Sequence, residues 1–310
     1  LKTPPLVYLE CNFQRVKSEV LVGCSITIEQ ASKTLQLYPI KKRKNTMKLP
    51  TYDSLLLGID QHVATITLNR PDKRNAFNDD VIRELTDVFQ FCAAQDEVRV
   101  VVLTANGKAF CAGADLNWMR AMADYSHDEN LADAGKLAQM LATIYHCPKP
   151  TVAAIQGDVY AGGMGLVAAC DIAISVKNAN FCLSEVKLGL IPATISPYVI
   201  RAMGARAAHR YFLTAEIFDA KEAKKIGFIH ERVDEEEFTQ SLDNLVKHLV
   251  NASPNAVKVC KKLVQDVAYA EINEQLIKDT VAGIADIRAS AEGKEGVQSF
   301  LQKRQPSWLA

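Results

Sequence analysis

No apolar run in this 310-residue chain approaches the roughly 20 residues that a membrane-spanning helix needs. No internal repeat and no low-complexity segment stands out. The eight cysteines form no CxxC pair and no zinc-like spacing with histidine, so neither a disulfide framework nor a metal is called for. They are scattered. Cys92 and Cys170, for example, stand in apolar surroundings, which points to reduced, buried thiols and a cytoplasmic protein. Net charge is missing too: 36 Lys and Arg balance 36 Asp and Glu. That argues against a chain devoted to nucleic acid, although a local basic patch stays open. What the chain does have is apolar content. At 48% hydrophobic, it can build one large domain or two smaller ones around a real core.

Residues 1–46 look foreign to the rest. They begin with Leu1, show no sustained period of 2 or 3.6, and end in the basic run Lys41-Lys42-Arg43-Lys44. Glu10, Glu19 and Glu29 and the scarcity of arginine speak against a transit peptide. The segment is expected to be a non-native or upstream-translated extension, disordered, with the working protein starting near Met47.

The stretch around which the chain is organised is Gly157 to Asp171. It follows the apolar run Val152-Ala153-Ala154-Ile155, which reads as a buried strand, and leads into Leu166 to Ala169, which suits a buried helix. Glycines stand between them at 157, 162, 163 and 165. A strand, a glycine turn and a helix start leave backbone N–H groups unpaired, and such an end favours negative charge. A second turn, Phe110 to Leu116, also follows a buried strand, Val100 to Leu103. Two such turns can each lend one N–H to the same oxygen. An oxyanion hole of that kind contributes roughly 3 kcal/mol per donor in the transition state. Glycines near a helix start also serve as plain packing devices.

The other elements fall in order. Leu55 to Ile59 and Val63 to Leu68 read as paired strands. Asn78 caps a helix whose apolar face is Val81, Ile82, Leu85, Val88, Phe89 and Cys92. The polar stretch Tyr125 to Asn130 reads as a mobile cover over a site or as a surface loop, with a helix from about 131 to 146. Strands follow at 172–176 and 181–183. Ser196 is expected to cap a helix with Pro197 in its first turn, and a second helical segment runs from Ala205 to Leu213. The short helix 219–227 ends on glycine. From Glu235 to about 304 the pattern is helical. The order is α/β for two thirds of the chain and helical for the last third.

Four motifs stand in sequence: Asn69-Arg70-Pro71, Phe110 to Asp115, Gly157 to Asp171, and Ser184-Glu185-Val186-Lys187-Leu188-Gly189-Leu190-Ile191-Pro192. On these the chain resembles the crotonase (enoyl-CoA hydratase/isomerase) superfamily over about 50–310. The run Phe181 to Glu185, then Ala193 to Pro197, with Phe300 to Arg304 and Trp308, is similar to bacterial methylglutaconyl-CoA hydratases of leucine breakdown. The resemblance implies a spiral of β-β-α units over 47–250. It also implies a C-terminal helical region over 251–310 for trimerisation and CoA contact, a homotrimer or dimer of trimers, and an acyl-CoA substrate. No cofactor is implied, because CoA is part of the substrate. The implied oxyanion donors are the N–H groups of Ala114 and Gly162. Lys73, Arg74, Ala76, Ala112, Asp115 and Leu116 are implied along the CoA path. Phe300 and Lys303 are implied at the nucleotide end, from this chain or a neighbouring subunit. Basic residues of this kind also serve simply as a solvated surface.

An unsaturated thioester that takes up water builds enolate charge on its oxygen, and a carboxylate must handle the protons. Glu185, in an apolar run, is the implied base. Many hydratases of the family use a second glutamate, and the corresponding position here is Gly165. Three readings result. The first is a hydratase acting on 3-methylglutaconyl-CoA, with Arg120 or Arg201 meeting the substrate's own carboxylate. The second is a Δ3,Δ2-enoyl-CoA isomerase using the single glutamate. The third is an RNA-binding role, as in one eukaryotic relative, supported locally only by Lys41 to Lys44 and opposed by the neutral balance.

Overall fold

The two apolar runs near the start pair as expected. β1 (Leu55–Asp60) and β2 (Val63–Leu68) form an antiparallel hairpin in register from Leu55↔Leu68 to Asp60↔Val63. Gln61 and His62 both take positive φ, 46° and 68°, the two-residue turn whose twist matches such strands. The computed structural model describes residues 48–309, so the readings made for 1–46, including the basic run, lie outside the described residues.

After the hairpin come α1 (Asp79–Ala94), β3 (Val100–Ala105), β4 (Ala109–Cys111), α2 (Leu116–Met122) and α3 (His127–Tyr145). Next are β5 (Thr151–Ile155), β6 (Asp158–Tyr160), α4 (Gly162–Ala169), β7 (Ile172–Val176), β8 (Asn180–Cys182) and α5 (Ser196–Thr214). β9 (Phe218–Asp219), α6 (Ala220–Lys225), β10 (Glu231–Val233) and α7 (Phe238–Asn251) follow. The chain closes with α8 (Pro254–Val267), α9 (Glu274–Ala289) and α10 (Ala291–Leu301). The expected boundary at 250/251 falls at the end of α7.

β3, β5 and β7 each hand over to a short strand, β4, β6 and β8, before the chain turns helical. The long strands join a six-stranded sheet ordered β1-β2-β3-β5-β7-β10, and the short ones a four-stranded sheet ordered β4-β6-β8-β9. This is the spiral of β-β-α units that the resemblance implied. β3 and β5 are buried at every residue, as parallel strands covered on both faces must be. α1 buries the six residues read from its period, and Asn78 caps it by accepting the Val81 N–H at 3.0 Å. Its Glu84 is buried as well, and accepts the backbone N–H groups of Asp53 and Ser54 ahead of β1.

Three local expectations need correction. The 125–130 stretch is a helix start: Ser126 and Glu129 form a reciprocal capping box on α3. Ser196 does not cap α5. Ile195 is the cap residue, and the Ser196 hydroxyl donates to the Ala193 carbonyl at 2.8 Å. α4 begins at Gly162, four residues earlier than Leu166, because the glycines there are helical. The break between the two segments of α5 is Gly204, at φ 77° and ψ 153°.

Candidate active site

β4, β6 and β8 run parallel and side by side. Their C-terminal ends therefore open on one edge. Just past Cys111 stands Ala114, just past Tyr160 stands Gly162, and just past Cys182 stands Glu185. Neighbouring strands lie about 4.8 Å apart, so groups leaving adjacent ends can reach one small molecule. The carboxyl ends of parallel strands are where open α/β folds collect ligands.

The direction of the Ala114 N–H follows from its neighbours. Phe77 forms a parallel bridge with Ala114. The Phe77 N–H donates to the Gly113 carbonyl at 2.7 Å, and the Asp115 N–H donates to the Phe77 carbonyl at 2.7 Å. In such a bridge the flanking residues make the bonds, and the central residue's own N–H faces away. No acceptor among the described residues takes the Ala114 N–H. Arg70 clamps the same corner, with one guanidinium nitrogen donating to the Ala76 carbonyl at 2.8 Å and another to the Asp115 carboxylate at 2.9 Å.

Gly162 is the first residue of α4, so its N–H has no intrahelical acceptor. Ala161 before it is bent to φ 47° and ψ −121°, a conformation that costs a non-glycine residue about 1–3 kcal/mol. The bend is held by the Ala161 N–H donating to the Cys182 carbonyl at 2.8 Å and by the Met164 N–H donating to the Ala161 carbonyl at 2.9 Å. The two turns touch. A Cβ on Gly113, which sits at φ 90°, would meet the Ala161 methyl at 2.9 Å.

Glu185 opens a short 3₁₀ turn that follows β8. Its Oε2 is buried and has no hydrogen-bond partner among the described residues. Burial pushes its carboxyl above the ordinary glutamate range, offset in part by its own backbone N–H. A half-buried carboxylate with one sheltered oxygen and a raised pKa is suited to taking up and releasing protons. The neighbouring thiols are not competitors, since burial pushes Cys111 up to about 12 and raises Cys182 as well.

There is no room for a second carboxylate at position 165. A Cβ on Gly165 would lie 2.3 Å from Cγ2 and 2.9 Å from Cβ of Ile195, which is buried. Among the described residues no group of His, Cys, Asp and Glu is arranged to hold a metal ion.

The remaining residues named from the sequence divide into two groups. Lys73 and Arg74 are exposed on the loop beside this edge, and the Ala112 N–H donates to the Arg74 carbonyl at 3.0 Å. Ala76 is buried against that loop, and Leu116 is exposed at the start of α2. Asp115 is buried, and its carboxylate accepts from Arg70 and from the Asn117 N–H, capping α2. Phe300 and Lys303 stand exposed at the end of α10, outside this cluster. Arg120 is exposed and donates to Asn117 at 2.7 Å. Arg201 instead lines a cavity of about 620 Å³ at the other end of α4, beside Val167, Ala168 and Cys170. Sequence reasoning missed Phe77, whose only signal is an apolar residue just before a helix cap, and Ile195. It quoted Arg70 without giving it a role.

Residues 58–310 match the family model described as enoyl-CoA hydratase/isomerase. A crystal structure from Legionella pneumophila, described as an enoyl-CoA hydratase/isomerase (crotonase), is 45% identical with a TM-score of 0.79. The match covers 82% of this chain and 98% of that one. An enoyl-CoA hydratase structure from Shewanella pealeana is 42% identical with a TM-score of 0.80, covering 82% and 96%. An enoyl-CoA hydratase of Alternaria alternata is 34% identical over 240 residues, 77% of this chain and 78% of the relative.

Proposed function

The chain belongs to the enoyl-CoA hydratase/isomerase family, and from that premise we propose that it adds water to 3-methylglutaconyl-CoA, giving 3-hydroxy-3-methylglutaryl-CoA in leucine breakdown. An enzyme of the hydratase type acting on an acyl-CoA is what its relatives' names support. The hydration chemistry is supported by one observation: two outward N–H groups, at Ala114 and Gly162, leave adjacent strand ends, and the next strand end carries Glu185, one buried oxygen of which has no partner among the described residues. The choice of substrate rests on the resemblance of the runs Phe181 to Glu185 and Ala193 to Pro197.

In this reading the two N–H groups hold the thioester oxygen. They grip it harder as it becomes an enolate, which lowers the barrier and not just the ground state. Glu185 takes a proton from water as the hydroxyl oxygen bonds to the β-carbon. It returns that proton to the α-carbon, and the carboxylate is restored. Because Ile195 fills the space at Gly165, one carboxylate serves both steps. The substrate's distal carboxylate is met by Arg120, which lies closer in the chain to the strand ends than Arg201 does. Lys73 and Arg74 meet the CoA phosphates, Ala76, Ala112 and Leu116 flank the pantetheine, and Asp115 fixes the loop that carries Ala114. Helices α8 and α9 bury no residue of their own. Val264, Ile272, Val281 and Phe300 stand exposed on the C-terminal helical region. That surface suits a homotrimer or dimer of trimers, in which Phe300 and Lys303 reach a neighbour's CoA.

The same lone carboxylate favours a second reading, a Δ3,Δ2-enoyl-CoA isomerase. Glu185 would then move a proton from the α-carbon to the γ-carbon with no water consumed. A panel of CoA thioesters separates the two. Faster hydration of crotonyl-CoA than of 3-methylglutaconyl-CoA overturns the substrate proposed here.

A further inference from the structure

We propose that Phe77 is the positioning residue that fixes the distance between the two N–H donors, a role that rests on the oxyanion reading above. Two contacts from one residue carry it. Its backbone holds the Ala114 corner, donating to the Gly113 carbonyl and accepting from the Asp115 N–H, each at 2.7 Å. Its ring lies against the other donor. A Cβ on Gly162 would come within 2.7 Å of Phe77 Cε2 and 3.0 Å of Cδ2, with nothing else between them.

Phe77 is 1% exposed, so the ring has no freedom to drift. Ala114 and Gly162 belong to different turns more than 40 residues apart in sequence. Their separation is therefore not set by local chain geometry. The Phe77 ring acts as a spacer of fixed thickness between the bridge on Ala114 and the first Cα of α4. Gly162 is required for the complementary reason, that any side chain there would push the ring and the Ala114 corner away. The ring touches no reacting atom. It acts through where it holds the two nitrogens, and a misplacement of about 1 Å can cost about 100-fold in rate.

The test is a double-variant cycle on the full-length enzyme with two readouts. One is kcat and KM on the enoyl thioester. The other is the absorption band of a para-dialkylamino aryl-acryloyl-CoA, which moves to longer wavelength when its carbonyl is polarised. Phe77→Leu keeps a buried apolar side chain but thins the spacer, and Gly162→Ala thickens it. Each alone is expected to lower kcat about tenfold or more with KM changed less than about threefold, and to shrink the band shift. Together they offset, leaving kcat at least about fivefold above the product of the single losses. Phe89→Leu, the same change in a buried ring of α1 away from both donors, keeps the wild-type kcat and shift.

Losses that simply multiply overturn the proposal, as does a Phe77→Leu enzyme indistinguishable from Phe89→Leu. A wild-type enzyme that leaves the band unmoved sinks the oxyanion reading itself, and Phe77 with it. A full shift that survives in Phe77→Leu sinks the positioning role alone.

Discussion

Arg70 and Asp115 meet at 2.9 Å, and through that contact a residue of the loop after β2 holds the turn after β4. Burial alone would raise the Asp115 carboxyl. The Asn117 N–H and the Arg70 guanidinium outweigh it and hold the group below the ordinary aspartate range. A carboxyl depressed in the folded state contributes stability above its unfolded pKa, and that contribution is lost as pH falls through the folded value. Asp115→Asn is therefore expected to lower Tm at neutral pH, and the gap to wild type should close in acid, below about pH 4. Thermal melts of both proteins across pH 3–8 check this. A gap that widens in acid contradicts it.

Replacing Glu185 with Gln removes the group assigned to both proton steps. Turnover is expected to fall about 100- to 10,000-fold, while the affinity for a saturated CoA thioester stays near wild type. In wild type, kcat/KM should decline in acid with a midpoint above the usual glutamate value of about 4.3, because burial raises this carboxyl. The rate of Glu185→Gln should be flat across that limb.

The same substitution should stabilise the fold. A carboxyl whose folded pKa is raised makes folding less favourable at any pH where the unfolded group is ionised. Glu185→Gln is expected to melt above wild type at pH 7–8. The advantage should disappear below about pH 4, where the glutamate is protonated in both states. A lower Tm at neutral pH means that Glu185 has a structural partner after all.

Gly165 and Ile195 form a packed pair, so Gly165→Ala should destabilise by about 1–3 kcal/mol through overpacking. Trimming the neighbour in the double variant with Ile195→Ala, which removes the Cγ2 that the added methyl would meet, should recover part of that loss. Urea melts of the four proteins give the coupling directly, and strict additivity contradicts the contact.

The exposed apolar face of the C-terminal helices predicts self-association. Light scattering should give about 102 kDa, three times the 34.1 kDa chain, or about twice that. A monomer at micromolar concentration would remove the neighbouring subunit's Phe300 and Lys303 from the site.

How far the sequence reached depends on what kind of signal each part leaves. The α1 face was legible because one side of a helix must be apolar at its period, and the buried strands because parallel strands lack polar residues. Gly162 and Glu185 were legible through motif order, since residues that follow short strands keep a fixed spacing from them. The contacts across the site left no such trace. Phe77 looks like any apolar residue before a cap, and its function comes from meeting Gly113, Asp115 and Gly162 in space. Ile195 was hidden similarly, because the missing glutamate shows as a glycine while the side chain filling its place lies 30 residues away. The 125–130 stretch misled through polarity. Its Ser126 and Glu129 were a capping box, and polar residues in a first turn resemble a loop unless that reciprocal pair is recognised.

The most direct test is the fate of solvent oxygen. The full-length enzyme is incubated with 3-methylglutaconyl-CoA in water enriched in ¹⁸O, and the product is weighed by mass spectrometry, with Glu185→Gln beside it. One ¹⁸O per product molecule from wild type, and almost no product from Glu185→Gln, is the predicted result. An unlabelled isomer from wild type, or labelled product formed at the wild-type rate by Glu185→Gln, contradicts it.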